Sequence, residues 1–276
     1  MNKLRERGVA NIFHMPLAVN VSRLEKTFAE KKQQDYLYEV SFLGNLYNNE
    51  FNFFDQIKNM PEYYRGFFDG LIQTQMQLYG YDVASNVITK EMFRKMKSFV
   101  SFQLDEELFI EEKEIFDNML QKKVTVKERP EILRKISEKY QIAHFAPQAD
   151  DTLTNVDFRG FADYTTEMPF IFRDSQINLN ITLRSILSGI PLRCLDVMGA
   201  GGFLLSNYQP ELAEYFVDGQ EMVMYESHDD LLDKIEYYLV HEKEREEIAL
   251  CGKEKIKKEF SYEKKLKEIF ENVFGK

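Results

Sequence analysis

From Lys122 onward the chain alternates short apolar runs with helical stretches, and this rhythm limits the possible folds more than any other feature of its 276 residues. Apolar runs at 141–146, 156–160, 177–181, 203–206 and 222–225 are each too short for a helix and bounded by polar or glycine turns. Another run of this kind, Tyr-Glu-Val-Ser-Phe-Leu-Gly at 38–44, stands alone upstream. Helical patterns fill the gaps at 129–140 (Pro130 at its start), 165–174, 192–198 and 210–216. Ser227 caps a further helix through about His241, and two charged helices follow at 242–260 and 262–274. Strands alternating with helices imply βαβ units and a mainly parallel sheet covered on both faces, an α/β fold.

The stretch 48–122 breaks the rhythm. It has almost no strand signal and is rich in Phe, Tyr, Met, Glu and Lys, so it reads as a helical insertion whose aromatic stripe forms a core of its own. Before the first strand of the sheet, residues 11–20 read as a short apolar strand ending near a proline, and 22–35 as a polar linker with a helical piece. The expected organisation is a leading strand and linker over 1–35, an α/β domain over 36–260, and a terminal helix over 261–276.

Composition excludes several classes of function. A net charge of −10 provides no overall field for a phosphate backbone, so nucleic acid is not an expected partner. No stretch approaches the roughly 18 apolar residues of a membrane helix, and the charged N-terminus has no apolar run of leader length behind it. A cytoplasmic chain is expected. Cys194 and Cys251 are too few for a disulfide framework, and the scattered His14, His144, His228 and His241 lack metal-ligand spacing. No metal is expected.

In a parallel sheet, ligands sit at the carboxyl ends of the strands. The richest segment there is Ser188-Gly-Ile-Pro-Leu-Arg-Cys-Leu-Asp196, running into Val-Met-Gly-Ala-Gly-Gly. A glycine and a proline open a helix whose first amides are free for an anion such as a diphosphate. Arg193 offers a forked, permanently charged donor to phosphate. Asp196, one turn on, can accept two hydroxyls of a ribose. Gly201 and Gly202 turn the chain back into the next strand. Spacing alone equally allows Arg193 and Asp196 to be a helix-surface pair.

The segment from Ser175-Gln-Ile-Asn-Leu-Asn through Gly-Gly-Phe-Leu-Leu-Ser206 resembles the signature of the spore-maturation-protein-like glycosyltransferases. The likeness continues through Asp218-Gly-Gln-Glu-Met-Val-Met-Tyr225, Asp229-Asp-Leu-Leu232, the Glu-Arg-Glu-Glu-Ile-Ala249 helix and Phe260-Ser-Tyr262. Upstream, Pro16-Leu-Ala-Val-Asn20 and Val40-Ser-Phe-Leu-Gly-Asn-Leu-Tyr47 also fit. The resemblance implies the C-terminal, donor-binding half of a GT-B fold, a Rossmann-like sheet with helices on both faces. It implies a glycosyltransferase that moves sugar from a nucleoside diphosphate sugar, a UDP-sugar by analogy, with no tightly bound cofactor.

The resemblance also assigns residues. A pair of glutamates separated by seven residues holds the donor in such enzymes. Here the pair falls on Ser188 and Asp196, so the ribose acid is kept and the acid on the sugar is not. No Lys or Arg follows the first strand at 45–49, which leaves Arg193 more of the diphosphate charge. The expected donor contacts are Gly44, Asn45, Gly160, Asp163, Tyr164, Asn180, Thr182, Ser188, Gly189, Ile190, Arg193 and Asp196, with Gly160 to Tyr164 meeting the base. By the same resemblance the chain begins near the last strand of an acceptor domain that is otherwise missing. The acceptor is unspecified, and a homodimer that covers the exposed interdomain surface, or a separately encoded acceptor-domain partner, is expected. A non-catalytic module that binds a nucleotide sugar or supports a partner enzyme is the alternative.

Overall fold

The computed structural model of the protein describes residues 4–5, 8–29, 36–48, 52–102 and 110–275. Six strands form one parallel sheet in the order β3-β2-β1-β4-β5-β6. They are β1 (Tyr38–Leu43), β2 (Ile142–Phe145), β3 (Asp157–Gly160), β4 (Ser175–Asn180), β5 (Leu204–Asn207) and β6 (Val223–Tyr225), each on a run that reads as a strand in the sequence. In register, Val40 lies between Ile142 and Ile177, all fully buried, as a sheet covered on both faces requires.

Eleven α-helices are described: α1 (Val21–Ala29), α2 (Glu62–Met76), α3 (Val83–Val87), α4 (Lys90–Met96), α5 (Glu112–Ser137), α6 (Met168–Arg173), α7 (Leu192–Ala200), α8 (Pro210–Tyr215), α9 (His228–Val240), α10 (Glu242–Glu259) and α11 (Tyr262–Phe274). On one face of the sheet Leu43, Phe145, Leu204 and Met224 pack with Leu195 and Met198 of α7 and with Phe260. On the other, Phe42, Leu179 and Leu205 pack with Ile132 and Ile136 of α5 and Ile235 of α9. The fold is thus a Rossmann-like α/β sandwich of three layers. No described helix is long and apolar enough to cross a membrane.

The stretch after β1 holds no strand in its described part, where a 3-10 turn at Phe53–Gln56 and then α2 to α5 are joined by short loops. Its aromatic stripe builds a separate core in which Phe54, Phe68 and Phe116 meet at centroid distances of 5.4–6.1 Å. Helix α5 departs from expectation. The pattern places a helix start at Pro130, yet α5 runs through that proline. Its first half buries Phe116, Leu120 and Val124 in the insertion, and its second buries Ile132, Leu133 and Ile136 against the sheet. Burial on both sides offsets the roughly 3 kcal/mol that an interior proline costs.

Residues 11–20 are not the strand their apolar pattern suggests. Val19 alone forms a parallel bridge, to Ser261, while Phe13 and Leu17 are exposed. This segment runs beside the joint between α10 and α11, where Val19 exchanges backbone bonds with Phe260 and Tyr262. The boundary expected near Asp35 lies outside the described residues.

A buried polar hub fastens the insertion to the sheet. Arg184, just past β4, donates from Nε to Glu128 Oε2 at 2.8 Å and from Nη1 to the Leu78 carbonyl at 2.9 Å. The Tyr79 hydroxyl donates to Glu128 Oε1 at 2.9 Å, and the Tyr79 ring lies 4.0 Å from the Arg184 guanidinium carbon. The hub therefore joins α2, α5 and the exit of β4 in one place. At the far end of α7, Gly201 turns left-handed with φ +83°. A Cβ on Gly202 would lie 2.4 Å from the Phe172 carbonyl oxygen, so the return into β5 admits no side chain there.

Candidate functional site

β1 and β4 are neighbours whose onward connections leave in opposite directions, toward β2 and toward β5. Such a switch point opens a crevice outside the strand ends. Gly44 and Asn45 follow β1 on one side of it; Ile181 and Thr182 follow β4 on the other. Arg129 of α5 joins the two sides. Its Nε donates to the Ile181 carbonyl at 3.1 Å, Nη2 to the same oxygen at 2.5 Å, and Nη1 to the Asn45 carbonyl at 2.5 Å. His144 supports the same turn, with Nε2 2.9 Å from the Gly44 carbonyl. Burial lowers the His144 pKa, so the ring is neutral at pH 7 and Nε2–H is the donor.

Helix α7 brings Arg193 and Asp196 to the same region. Arg193 is half-buried, with Nη1 2.9 Å from Met168 Sδ and the guanidinium carbon 5.3 Å from the Phe172 ring. Among the described residues neither Arg129 nor Arg193 has a carboxylate within 4.0 Å. Burial lowers both pKa values, and the neighbouring Arg193 cation lowers that of Arg129 further, yet a guanidinium stays charged at neutral pH. Neither cation is in salt-bridge contact with a carboxylate among the described residues, although Asp196 acts on Arg193 and Glu128 on Arg129 at longer range, and an anion in the crevice offsets the cost of their burial.

Asp196 is 7% exposed, and burial raises its pKa to about 6 even though the Tyr164 hydroxyl donates to its Oδ1 at 3.1 Å. Tyr164 comes from the loop after β3, and the guanidinium carbon of Arg23 in α1 lies 5.0 Å from its ring. The Arg23 charge, like that of Arg193, favours the ionised form of Asp196. The structure thus brings Tyr164, Arg193 and Asp196 together.

The other expected contacts divide by their surroundings. Gly160 closes β3, and its carbonyl accepts the Ala146 amide. Asp163 organises its own turn: Oδ1 accepts from the amides and hydroxyls of Thr165 and Thr166, which holds the carboxyl below the usual range. Asn45 Oδ1 is likewise engaged by the Tyr47 amide. Asn180 donates to Thr182 Oγ1 and Ser206 Oγ, and the Thr182 amide donates to Asn207, so this pair is tied into a network across β4 and β5. Ser188 is exposed, Ile190 is buried, and the Gly189 amide donates to Glu211 Oε2.

Three residues of this region escape the sequence reading. Arg23 and Arg129 carry no local signal, because only the fold brings α1 and α5 to the strand ends. Glu211 had one: it sits in the first turn of α8, which opens shortly after the carboxyl end of β5.

A family model described as glycosyl transferase-like matches residues 127–271. No curated protein matches the sequence. Among solved structures, sucrose-phosphate synthase from Thermosynechococcus elongatus is similar with a TM-score of 0.50 at 10% identity, over 99% of this chain and 56% of that one. TarM is similar with a TM-score of 0.45 at 13% identity, over 53% of this chain and 32% of that one. The C-terminal domain of a glycosyl transferase group 1 family protein from Francisella tularensis gives 0.39 at 19% identity, over 48% and 79%. The likeness to sucrose-phosphate synthase is one of fold, and the chain spans just over half of that protein's length and about a third of TarM's.

Proposed function

The chain belongs to the glycosyl transferase-like family, and on that premise we propose that it binds a nucleoside diphosphate sugar, a UDP-sugar by family analogy, as the donor side of a sugar transfer. The finer kinship proposed is with the spore-maturation-protein-like glycosyltransferases. The observation that carries the reading is the pair of guanidiniums at the β1–β4 switch point, buried Arg129 and half-buried Arg193, neither of which has a carboxylate within 4.0 Å among the described residues.

Each part of the donor has a matching surface. The diphosphate lies between Gly44 and the start of α7, where Arg193 supplies forked donors and Arg129 adds charge. Asp196, ionised above about pH 6, accepts the ribose hydroxyls, and Tyr164 with the exposed Phe161 offers ring faces beside the base. During transfer the bond from the sugar C1 to the phosphate oxygen breaks, and negative charge grows on the leaving diphosphate. The fixed cations act where that charge appears, which is how such groups lower a barrier. Acceptor recognition falls to surfaces outside this sheet, from a second domain or a partner chain.

Calorimetry with a panel of nucleoside diphosphates tests this. Binding is expected, with Arg193→Ala weakening it about 10- to 150-fold, the worth of a charged bidentate contact. No binding by any nucleotide, or an unaffected and well-folded Arg193→Ala, refutes the site.

A further inference from the structure

Helix α1 precedes the sheet in sequence, yet it reaches the crevice. It packs closely on α7 because Gly199 has no side chain: a Cβ there would stand 2.9 Å from Val19 Cγ1 and 3.4 Å from Leu24 Cδ1. Gly199 follows Asp196 by three residues and so shares its side of α7. Arg23, the neighbour of Leu24, is thereby brought beside the Tyr164–Asp196 pair, with its guanidinium carbon 5.0 Å from the centre of the Tyr164 ring.

Nothing else in the structure accounts for where this cation lies. Arg23 is half-buried, it has no carboxylate within 4.0 Å among the described residues, and its Nε has no hydrogen-bond partner. Its neighbours on α1 turn to the α10–α11 joint instead: Ser22 Oγ donates to Glu263 Oε1 at 3.0 Å, and Glu25 pairs with Lys257 at 2.8 Å. What Arg23 meets is the Tyr164 ring, whose hydroxyl donates to Asp196 Oδ1 at 3.1 Å. Tyr164 is still 40% exposed, so a cation held against the ring leaves it surface for a second flat group.

The groups that face the Asp196 carboxyl are the Tyr164 hydroxyl from the loop after β3, Arg193 from α7 itself and Arg23 from α1. Tyr262 of α11 acts on Tyr164 from further out. The adjoining Cys194 thiol is neutral, since burial pushes it up to about 12. Burial disfavours the charged carboxylate, and the Tyr164 hydroxyl, Arg193 and Arg23 oppose that. Without the Arg23 charge the carboxyl keeps its proton to a higher pH.

We propose that Arg23 is a positioning residue of the donor site: it pins the Tyr164 ring beside which the base lies, and it holds Asp196 in the charged form that accepts the ribose hydroxyls. The base and ribose roles rest on the donor reading above; the path from Arg23 through Tyr164 to Asp196 does not.

The test compares the full chain with Arg23→Met, which removes the charge, and Arg23→Lys, which keeps the charge and loses the flat stack, each checked for folding by circular dichroism. The Asp196 carboxyl is titrated without ligand by carbon NMR, its signal identified by its loss in Asp196→Asn. The carboxyl is expected to titrate at a higher pH in Arg23→Met than in the wild-type chain, and close to the wild-type pH in Arg23→Lys. UDP affinity, measured by calorimetry near neutral pH, is expected to fall about 3- to 30-fold in Arg23→Met, the worth of a partly buried cation–π contact. That loss is expected to narrow at alkaline pH, where Asp196 is ionised in both proteins. A purely structural Arg23 would leave the titration where it is. A carboxyl that titrates at the wild-type pH in Arg23→Met, or that moves equally in both variants, overturns the proposal whether or not UDP binds. Unchanged UDP affinity in Arg23→Met, in a wild-type chain that binds UDP, overturns it as well. A shifted titration in a chain that binds no nucleotide upholds the hold of Arg23 on Asp196 and refutes the donor reading.

Discussion

Asp196→Asn should make the protein more stable and its donor site weaker. In an unfolded chain this carboxyl loses its proton near 3.8, its ordinary value, whereas in the folded protein burial moves that to about 6. Between those values the folded state holds the extra proton, so this residue's contribution to stability falls as pH rises through the window and the full penalty applies above it. The gap corresponds to about 3 kcal/mol at neutral pH, an order-of-magnitude figure. Asn keeps the shape and an oxygen for the Tyr164 hydroxyl but carries no charge. Urea unfolding at about pH 7 should therefore show the variant stabilised by up to about 3 kcal/mol, with the difference vanishing below about pH 4. The same variant should bind the donor about 10- to 150-fold more weakly, because an ionised acceptor of two hydroxyls is gone. Wild-type donor affinity should likewise rise with pH through about 6 as Asp196 ionises. Equal or lower stability of Asp196→Asn at neutral pH would refute the buried-charge argument, and unchanged donor affinity would remove Asp196 from the ribose.

Glu128→Gln should destabilise the fold by about 3–5 kcal/mol in denaturant titrations, because it strands the buried Arg184 charge of the hub. Arg129→Met removes the bonds to Asn45 and Ile181 together with a crevice cation. Its nucleotide affinity, measured by calorimetry, should fall about 10-fold or more, while Arg129→Lys keeps the charge and recovers part of that loss. The chain by itself should transfer sugar well below about 1 per second in a turnover assay with candidate acceptors. Acceptor positioning supplies several kcal/mol of barrier lowering, and on the proposed reading it comes from outside this sheet.

All six strands were legible because a parallel sheet buried on both faces demands short, continuous apolar runs, and Val40, Ile142 and Ile177 supply them. The insertion was legible for the opposite reason, a long aromatic stretch with no such run. The apolar character of residues 11–20 points to sheet pairing, yet the backbone bonds of Val19 run to the α10–α11 joint. Pro130 misled because a local rule gave way to burial at both ends of α5. In the site, Arg193 and Asp196 were readable from helical spacing within one segment. Arg129 was not: its partners, Asn45 and Ile181, lie 84 and 52 positions away. The absence of a basic residue after β1 was visible in the sequence; that α5 carries a cation to the same place was not.

The most direct measurement is a crystal structure of the chain grown with UDP. The diphosphate is expected between the Gly44 turn and the first turn of α7, within hydrogen-bond reach of Arg193, with the ribose on Asp196 and the base beside Tyr164. A nucleotide bound at the opposite ends of the strands, or on the outer face of the insertion, would contradict the assignment of the β1–β4 crevice as the donor site.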